Sequence, residues 1–354
     1  MKRGLVVLDP EELPLEELAG RATSLQGALR KQGLAAALIY GDVYRSGDIT
    51  YLSNICIYWN EGILVVPASG KMAFLTKLSR RVHPWMHSTS VVEDLRSGPS
   101  LADLAEELLA GVAPGPIGLV ERPWWPATLV GDLEGRLGGR ELRDLGSRVR
   151  SARRSPSGAE RALLARGGAL TAAAVVSGLD GGLTNSERAG RVELTARRGG
   201  IEDVAVYCRG GGAETDTIEV VGEYRGYWTS AARVLTKGSP RWAASLEEAW
   251  RAGAAALRPG ATCREVQDEL SDALDGLAGS CSVDLLHHTD LETDGGFRRA
   301  EESSLRLEEG SVAALRMELD LPGGSRAVVC DTYEIGADGA RCLTSAVPGP
   351  VVAL

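Results

Sequence analysis

A chain of 354 residues, 44% hydrophobic and 25% charged, has the composition of a folded globular protein and is long enough for about two domains. Its 39 Lys and Arg stand against 48 Asp and Glu, a net charge of −9 that argues against a general nucleic-acid binder, which needs a basic face to displace phosphate counterions. No apolar run reaches the roughly 20 residues of a membrane helix, and Asp9, Glu11 and Glu12 arrive too early for a secretory apolar segment. The expectation is a cytoplasmic protein with neither nucleic acid nor membrane as a partner. Cys56, Cys208, Cys263, Cys281, Cys330 and Cys342 form no CxxC pair, so a zinc knuckle or thioredoxin-type site is not indicated, and reduced, mostly buried thiols are expected.

The first third alternates helix and strand patterns. Apolar positions at helical spacing over 21–33 precede the short apolar strand 35–41. Residues 49–52 and 61–71 read as strands, and 72–76 pairs with the second as a hairpin across Ser69-Gly70. A helix over 101–111 and a strand over 115–121 follow, which points to a mixed or parallel sheet. His83 and His87 lie four apart, a spacing that binds zinc on a helix, but Pro84 favours a loop. Trp124-Trp125 reads as surface-loop packing or a dimer contact. The basic, Ser-rich stretch 146–158 marks the boundary between an α/β domain, 1–150, and a second domain, 151–354.

The second domain opens on helices over 157–179 and 184–198, the latter with a capping box from Thr184 to Glu187. Strands over 202–208, 216–224 and 231–235 come next. A helix over 245–257 stops at Arg258-Pro259-Gly260, and another over 262–277 starts from a Thr262–Glu265 box. Residues 305–354 are β-rich, with turns at Pro322-Gly323-Gly324 and Asp338-Gly339. Helices followed by antiparallel strands describe an α+β domain. The glycines of 209–216 make no phosphate loop, since no Lys-Ser/Thr or helix follows; a turn between strands is expected rather than a close backbone approach to a ligand.

Several landmarks then fall in one order. Arg154-Ser155-Pro156 with Glu160 resembles the linker helix of the creatinase, prolidase and aminopeptidase P family. Gly226-Tyr227 with Arg233 resembles its G-Y-x-S-D-x-T-R strand, Arg258 to Thr262 its K-P-G-x-T junction, and Gly339 to Thr344 its terminal strand. Arg21, Leu38-Ile39 and Tyr51-Leu52 resemble its amino-terminal domain. The resemblance implies an α+β fold with a C-terminal pita-bread domain behind a smaller α/β domain, in a homodimer. It also implies five metal ligands, and most of them are replaced. Glu219 stands for the first Asp, Ser230 for the second and Cys330 for the last Glu. Glu318 fits the other Glu, and His287-His288 stand in the region of the metal-binding His without its glycines. Residues 202–219 contain no histidine where a creatinase-like base would sit. Hard divalent ions need the missing carboxylates, so neither metal nor other cofactor is expected.

His287 and His288 are adjacent in a strand pattern and therefore face opposite sides; one is a candidate acid or base, the other a core or solvent residue. Glu219 and Glu318 sit among apolar residues, where a carboxylate binds a cationic substrate group, exchanges protons, or forms a structural salt bridge to Arg233 or Arg316. Cys330 is either a thiol nucleophile or a small buried hydrophobe, and Cys208-Arg209 raises the same choice. The catalytic candidates are thus His287, His288, Glu318 and Glu219, and the substrate-binding candidates Arg209, Ser230, Tyr227, Arg316 and Cys330. The expected function is a metal-independent, creatinase-like enzyme acting on a small polar nitrogen-containing molecule, by C–N hydrolysis or by lyase, cyclase or dehydratase chemistry, in specialised biosynthesis. The alternatives are a non-catalytic pita-bread protein that binds a peptide or partner, and a metal-dependent Xaa-Pro-type peptidase with displaced ligands such as Asp216 and Asp290.

Overall fold

A computed structural model describes residues 7–210, 215–274, 278–285, 304–321 and 325–354. The described chain divides into two compact units, one ending at Arg153 and the other starting at Arg154.

The first unit contains α1 (Leu15–Lys31), β1 (Ala36–Asp42), α2 (Gly47–Ser53), β2 (Glu61–Pro67), β3 (Ala73–Thr76), α3 (His83–Thr89), β4 (Asp94–Ser97), α4 (Leu101–Leu109), β5 (Ile117–Leu119), α5 (Ala127–Arg136), β6 (Leu142–Asp144) and α6 (Arg148–Ala152). Its sheet runs β4-β3-β2-β1-β5-β6. β1 is antiparallel to β2 and parallel to β5, which makes the sheet mixed. Both faces are apolar. Ala37, Ile39, Leu64 and Val66 join one core with residues of α1, α2 and α3. Their neighbours Ala36, Leu38, Ile63 and Val65 join another with residues of α4 and α5. Alternation along a strand thus feeds two layers of helices.

Two local expectations are corrected here. Residues 49–52 lie in α2, not in a strand. The helical turn buries every residue from Ile49 to Ser53, and the Thr50 and Ser53 hydroxyls donate to the Ser46 and Ile49 carbonyls. The β-branched and aromatic run signalled burial rather than extension. Residues 83–89 form α3, with Pro84 in the first turn, where its missing N–H has no helical partner to lose. The two histidines do not form a metal pair: His83 contacts Ser97 and His87 the Val92 carbonyl.

The second unit contains α7 (Gly158–Ser177), α8 (Asn185–Gly199), β7 (Asp203–Gly210), β8 (Thr215–Tyr224), β9 (Tyr227–Thr236), α9 (Trp242–Ala256), α10 (Cys263–Asp272), β10 (Ala278–Leu285), β11 (Val312–Leu321), β12 (Ser325–Gly336), β13 (Gly339–Cys342) and β14 (Val351–Ala353). Capping boxes at Ser157, Thr184 and Thr262 start α7, α8 and α10. The sheet runs β10-β11-β12-β9-β8-β7, with β13 on β12 and β14 on β9. One face of it is covered by helices. Thr171 on α7 shares a 2.8 Å hydroxyl contact with Thr229 on β9. Gly222 on β8 lies so close to α7 that a Cβ there would sit 2.8 Å from Thr171 Oγ1. Ala313, Leu315, Met317 and Leu319 of β11 join a core with residues of α9 and α10. Since side chains alternate along a strand, Glu219 on β8 and Arg316 and Glu318 on β11 project from the opposite face.

Candidate functional site

Strand pairing sets one row of residues across the sheet: Tyr207, Glu219, Ala232, Cys330, Arg316 and Ser282 stand opposite one another on successive strands. Glu219 and Arg316 are three inter-strand steps apart, each roughly 4.8 Å. Ala232 and Cys330 between them are small, so two long side chains meet over the middle of the row.

They meet as an ion pair. Arg316 Nε donates to Glu219 Oε1 at 2.8 Å and Nη2 to Oε2 at 3.4 Å. The same Nη2 lies 2.8 Å from Glu318 Oε1. The Glu219 side chain is 6% and that of Arg316 14% exposed. Burial alone would lower the guanidinium's pKa, but the hydrogen bond and charge of Glu219 and the hydrogen bond of Glu318 outweigh it and hold the group firmly cationic. For Glu318, burial works toward the protonated form, and the hydrogen bond and charge of Arg316, with Arg326 and Arg209, overcome it and hold the carboxyl below its ordinary range. Arg209 stands at the edge, 3.5 Å from Glu219 Oε2 and over the Tyr207 ring. Arg326 stands at the other edge, 3.8 Å from Glu318 and 3.5 Å from Asp320. Positive and negative groups therefore alternate from β7 to β12, with Arg316 at the centre.

Beside this chain lies a neutral pair. The Ser230 hydroxyl and the Cys330 thiol are 3.1 Å apart, and either can donate. Cys330 is wholly buried, and burial pushes its thiol far up, so it is no thiolate nucleophile in this conformation. The Ser230 backbone is fixed by Thr332, whose Oγ1 accepts from Ser230 N at 2.9 Å and donates to Ser230 O at 3.0 Å.

Two sequence candidates are engaged elsewhere. The Tyr227 hydroxyl donates to Glu160 in the first turn of α7, at 3.1 Å. Arg233 does not pair with Glu219 or Glu318; its Nη2 donates to Asp331 Oδ1 at 2.9 Å. Asp216 lies 4.0 Å from Arg188. His287, His288 and Asp290 lie outside the described residues. The sequence reading overlooked Arg326. Its signal was the Pro322-Gly323-Gly324 pattern in the sequence; in the sheet Arg326 stands opposite Asp320.

The described residues do not fit a dinuclear metal centre. The oxygens of Glu219 and Glu318 that would ligate an ion are held by a guanidinium, which also repels one. The Ser230 hydroxyl and Cys330 thiol are directed at each other. Among the described residues no group of three or more His, Cys, Asp or Glu is arranged to hold a metal ion.

The sequence profile of metallopeptidase family M24 matches residues 213–337. Those residues form an M24 domain. No curated protein matches the sequence. Solved structures place the fold. The prolidase from Pyrococcus horikoshii OT3 is 15% identical, with a TM-score of 0.76 over 92% of this chain and 98% of that one. The X-Pro aminopeptidase from Thermotoga maritima MSB8 is 16% identical, with a TM-score of 0.78 over 94% and 99%. The dipeptidase PepE from Mycobacterium ulcerans is 23% identical, with a TM-score of 0.75 over 96% and 99%. The expected pita-bread architecture behind an α/β unit is therefore the one observed. The M24 domain spans the strands that carry Glu219, Ser230, Arg316, Glu318 and Cys330.

Proposed function

We propose that the M24 domain is the seat of a metal-independent enzyme that acts on a small polar, nitrogen-containing molecule, with hydrolysis of a C–N bond as the reaction. The observation that carries this reading is the Arg316 guanidinium, 2.8 Å from an oxygen of each of Glu219 and Glu318. A carbonyl or amidine carbon arriving at this face meets a fixed positive charge in partly dry surroundings. Such a charge stabilises the negative charge that develops as water adds. Glu318, held ionised by its arginines, accepts a proton from the attacking water and returns it to the departing nitrogen. Glu219 keeps Arg316 in place, and Arg209 favours a substrate with a negative group at the edge. His287 or His288 is the remaining candidate for proton transfer.

A second reading is favoured by one observation. Both carboxylates are already paired and Cys330 is wholly buried, its thiol 3.1 Å from the Ser230 hydroxyl, as in a face that only binds. The test is release of ammonia or amine from a panel of amides, amidines and amino-acid derivatives by protein treated with a strong chelator. The expected result is turnover of at least one compound, unchanged by the chelator. No turnover of any compound, together with cleavage of an Xaa-Pro dipeptide on adding Mn2+, would overturn the proposal. Thermal stabilisation by a panel compound without turnover would shift it to binding.

A further inference from the structure

We infer that Arg316 is a built-in cation that closes this face to divalent ions, so that removing its guanidinium opens a carboxylate pair able to take one. A carboxylate-bound ion sits roughly 2.0–2.6 Å from its oxygens. The guanidinium already contacts Glu219 Oε1 and Glu318 Oε1, each at 2.8 Å. An ion on those oxygens would lie against it, and the two positive charges would repel. The arginine has a further advantage: it is tethered. Its backbone is paired to β12 opposite Cys330 and to β10 opposite Ser282, in the interior of the sheet. The cation is therefore delivered by folding and cannot diffuse away, whereas an ion would lose translational freedom on binding. The small Ala232 and Cys330 leave the side chain its path to Glu219. The neighbouring Ser230 hydroxyl and Cys330 thiol are directed at each other, 3.1 Å apart, rather than at the carboxylates.

This inference shares the position of Arg316 with the proposed function but not its chemistry. Turnover can fail while the ion result stands, and the reverse. The experiment is a Mn2+ titration of the full, metal-stripped chain, followed by the electron paramagnetic resonance signal of free Mn2+. In the parent chain the free signal should persist at one equivalent. In Arg316→Ala it should disappear over about the first equivalent, with at least about tenfold tighter binding, since a positive charge within contact distance is gone. Adding Glu219→Gln to that variant should abolish the gain. Equal binding by the parent chain and Arg316→Ala overturns the inference, as does absence of binding in both. Arg316→Gln, which keeps more of the volume, is titrated in parallel. Should either variant unfold unaided, Mn2+ is expected to raise its Tm, and no rise counts against the inference.

Discussion

Glu318→Gln is expected to lower kcat by about 10²-fold in whichever reaction the chelator-treated protein catalyses, with little change in stability. Gln keeps the shape and can still accept a hydrogen bond from Arg316, but it cannot take a proton. The side chain is 27% exposed, so the loss of its charge is softened by solvent. The pH dependence separates a base from a merely structural acid. The arginines hold the Glu318 carboxyl below its ordinary value of 4.5. Its activity as a base is thus fully present at neutral pH and lost only as pH falls through the lowered value. Its contribution to stability has the same sign: present above the unfolded value, lost on acidification through the folded one. Glu318→Gln should flatten the acid side of both profiles. A kcat within about twofold of the parent enzyme would remove Glu318 from the chemistry.

Arg233→Met is expected to cost about 3–5 kcal/mol of folding stability, measured by urea unfolding. The side chains of Arg233 and Asp331 are only 3% and 4% exposed. The guanidinium ties three segments together. It donates from Nε to the Pro348 carbonyl at 2.5 Å and from Nη1 to the Ala232 and Cys330 carbonyls at 2.8 and 2.9 Å. Its Nη2 reaches Asp331 Oδ1 at 2.9 Å, to which the Thr344 hydroxyl also donates, at 2.6 Å. Burial pushes the Asp331 carboxyl up against the pull of Arg233, Thr344 and Trp250, so this anion depends on its partners. Methionine restores volume but leaves a buried carboxylate without its counter-charge. Replacing Asp331 by leucine in the same chain should recover much of the loss, because the penalty lies in the unpaired charge rather than in the missing attraction. A loss below about 1 kcal/mol for the single variant would show that the pair does not hold the strands.

Much of the local structure was legible in the residues. The Thr184–Glu187 and Thr262–Glu265 boxes and the Pro322-Gly323-Gly324 sequence pattern carry their own chemistry. The helices and strands they delimit lie where those signals put them, though α10 ends at Asp272. Glu219, Ser230, Glu318 and Cys330 could be picked out because a resemblance supplied positions to compare. What those residues do to one another was less legible. The antiparallel pairing of β11 with β12, successive strands in the chain, is enough to set Arg316 opposite Cys330. The partner of Arg316 on β8, however, depends on β12 pairing with β9 and β9 with β8, contacts between distant parts of the chain. For the same reason Arg233 is matched to Asp331 only once β9 and β12 are adjacent. Residues 49–52 misled because an apolar β-branched run signals burial in either a strand or a short helix.

The most direct measurement is the metal content of the purified full chain, by elemental mass spectrometry, after growth with excess Mn, Co and Zn and exhaustive dialysis. With Arg316 occupying the carboxylates of Glu219 and Glu318, the expected result is well under one equivalent of any of the three. One to two equivalents, retained by the parent chain and lost in Glu219→Gln and Glu318→Gln, would contradict the metal-independent reading and return the site to metallopeptidase chemistry.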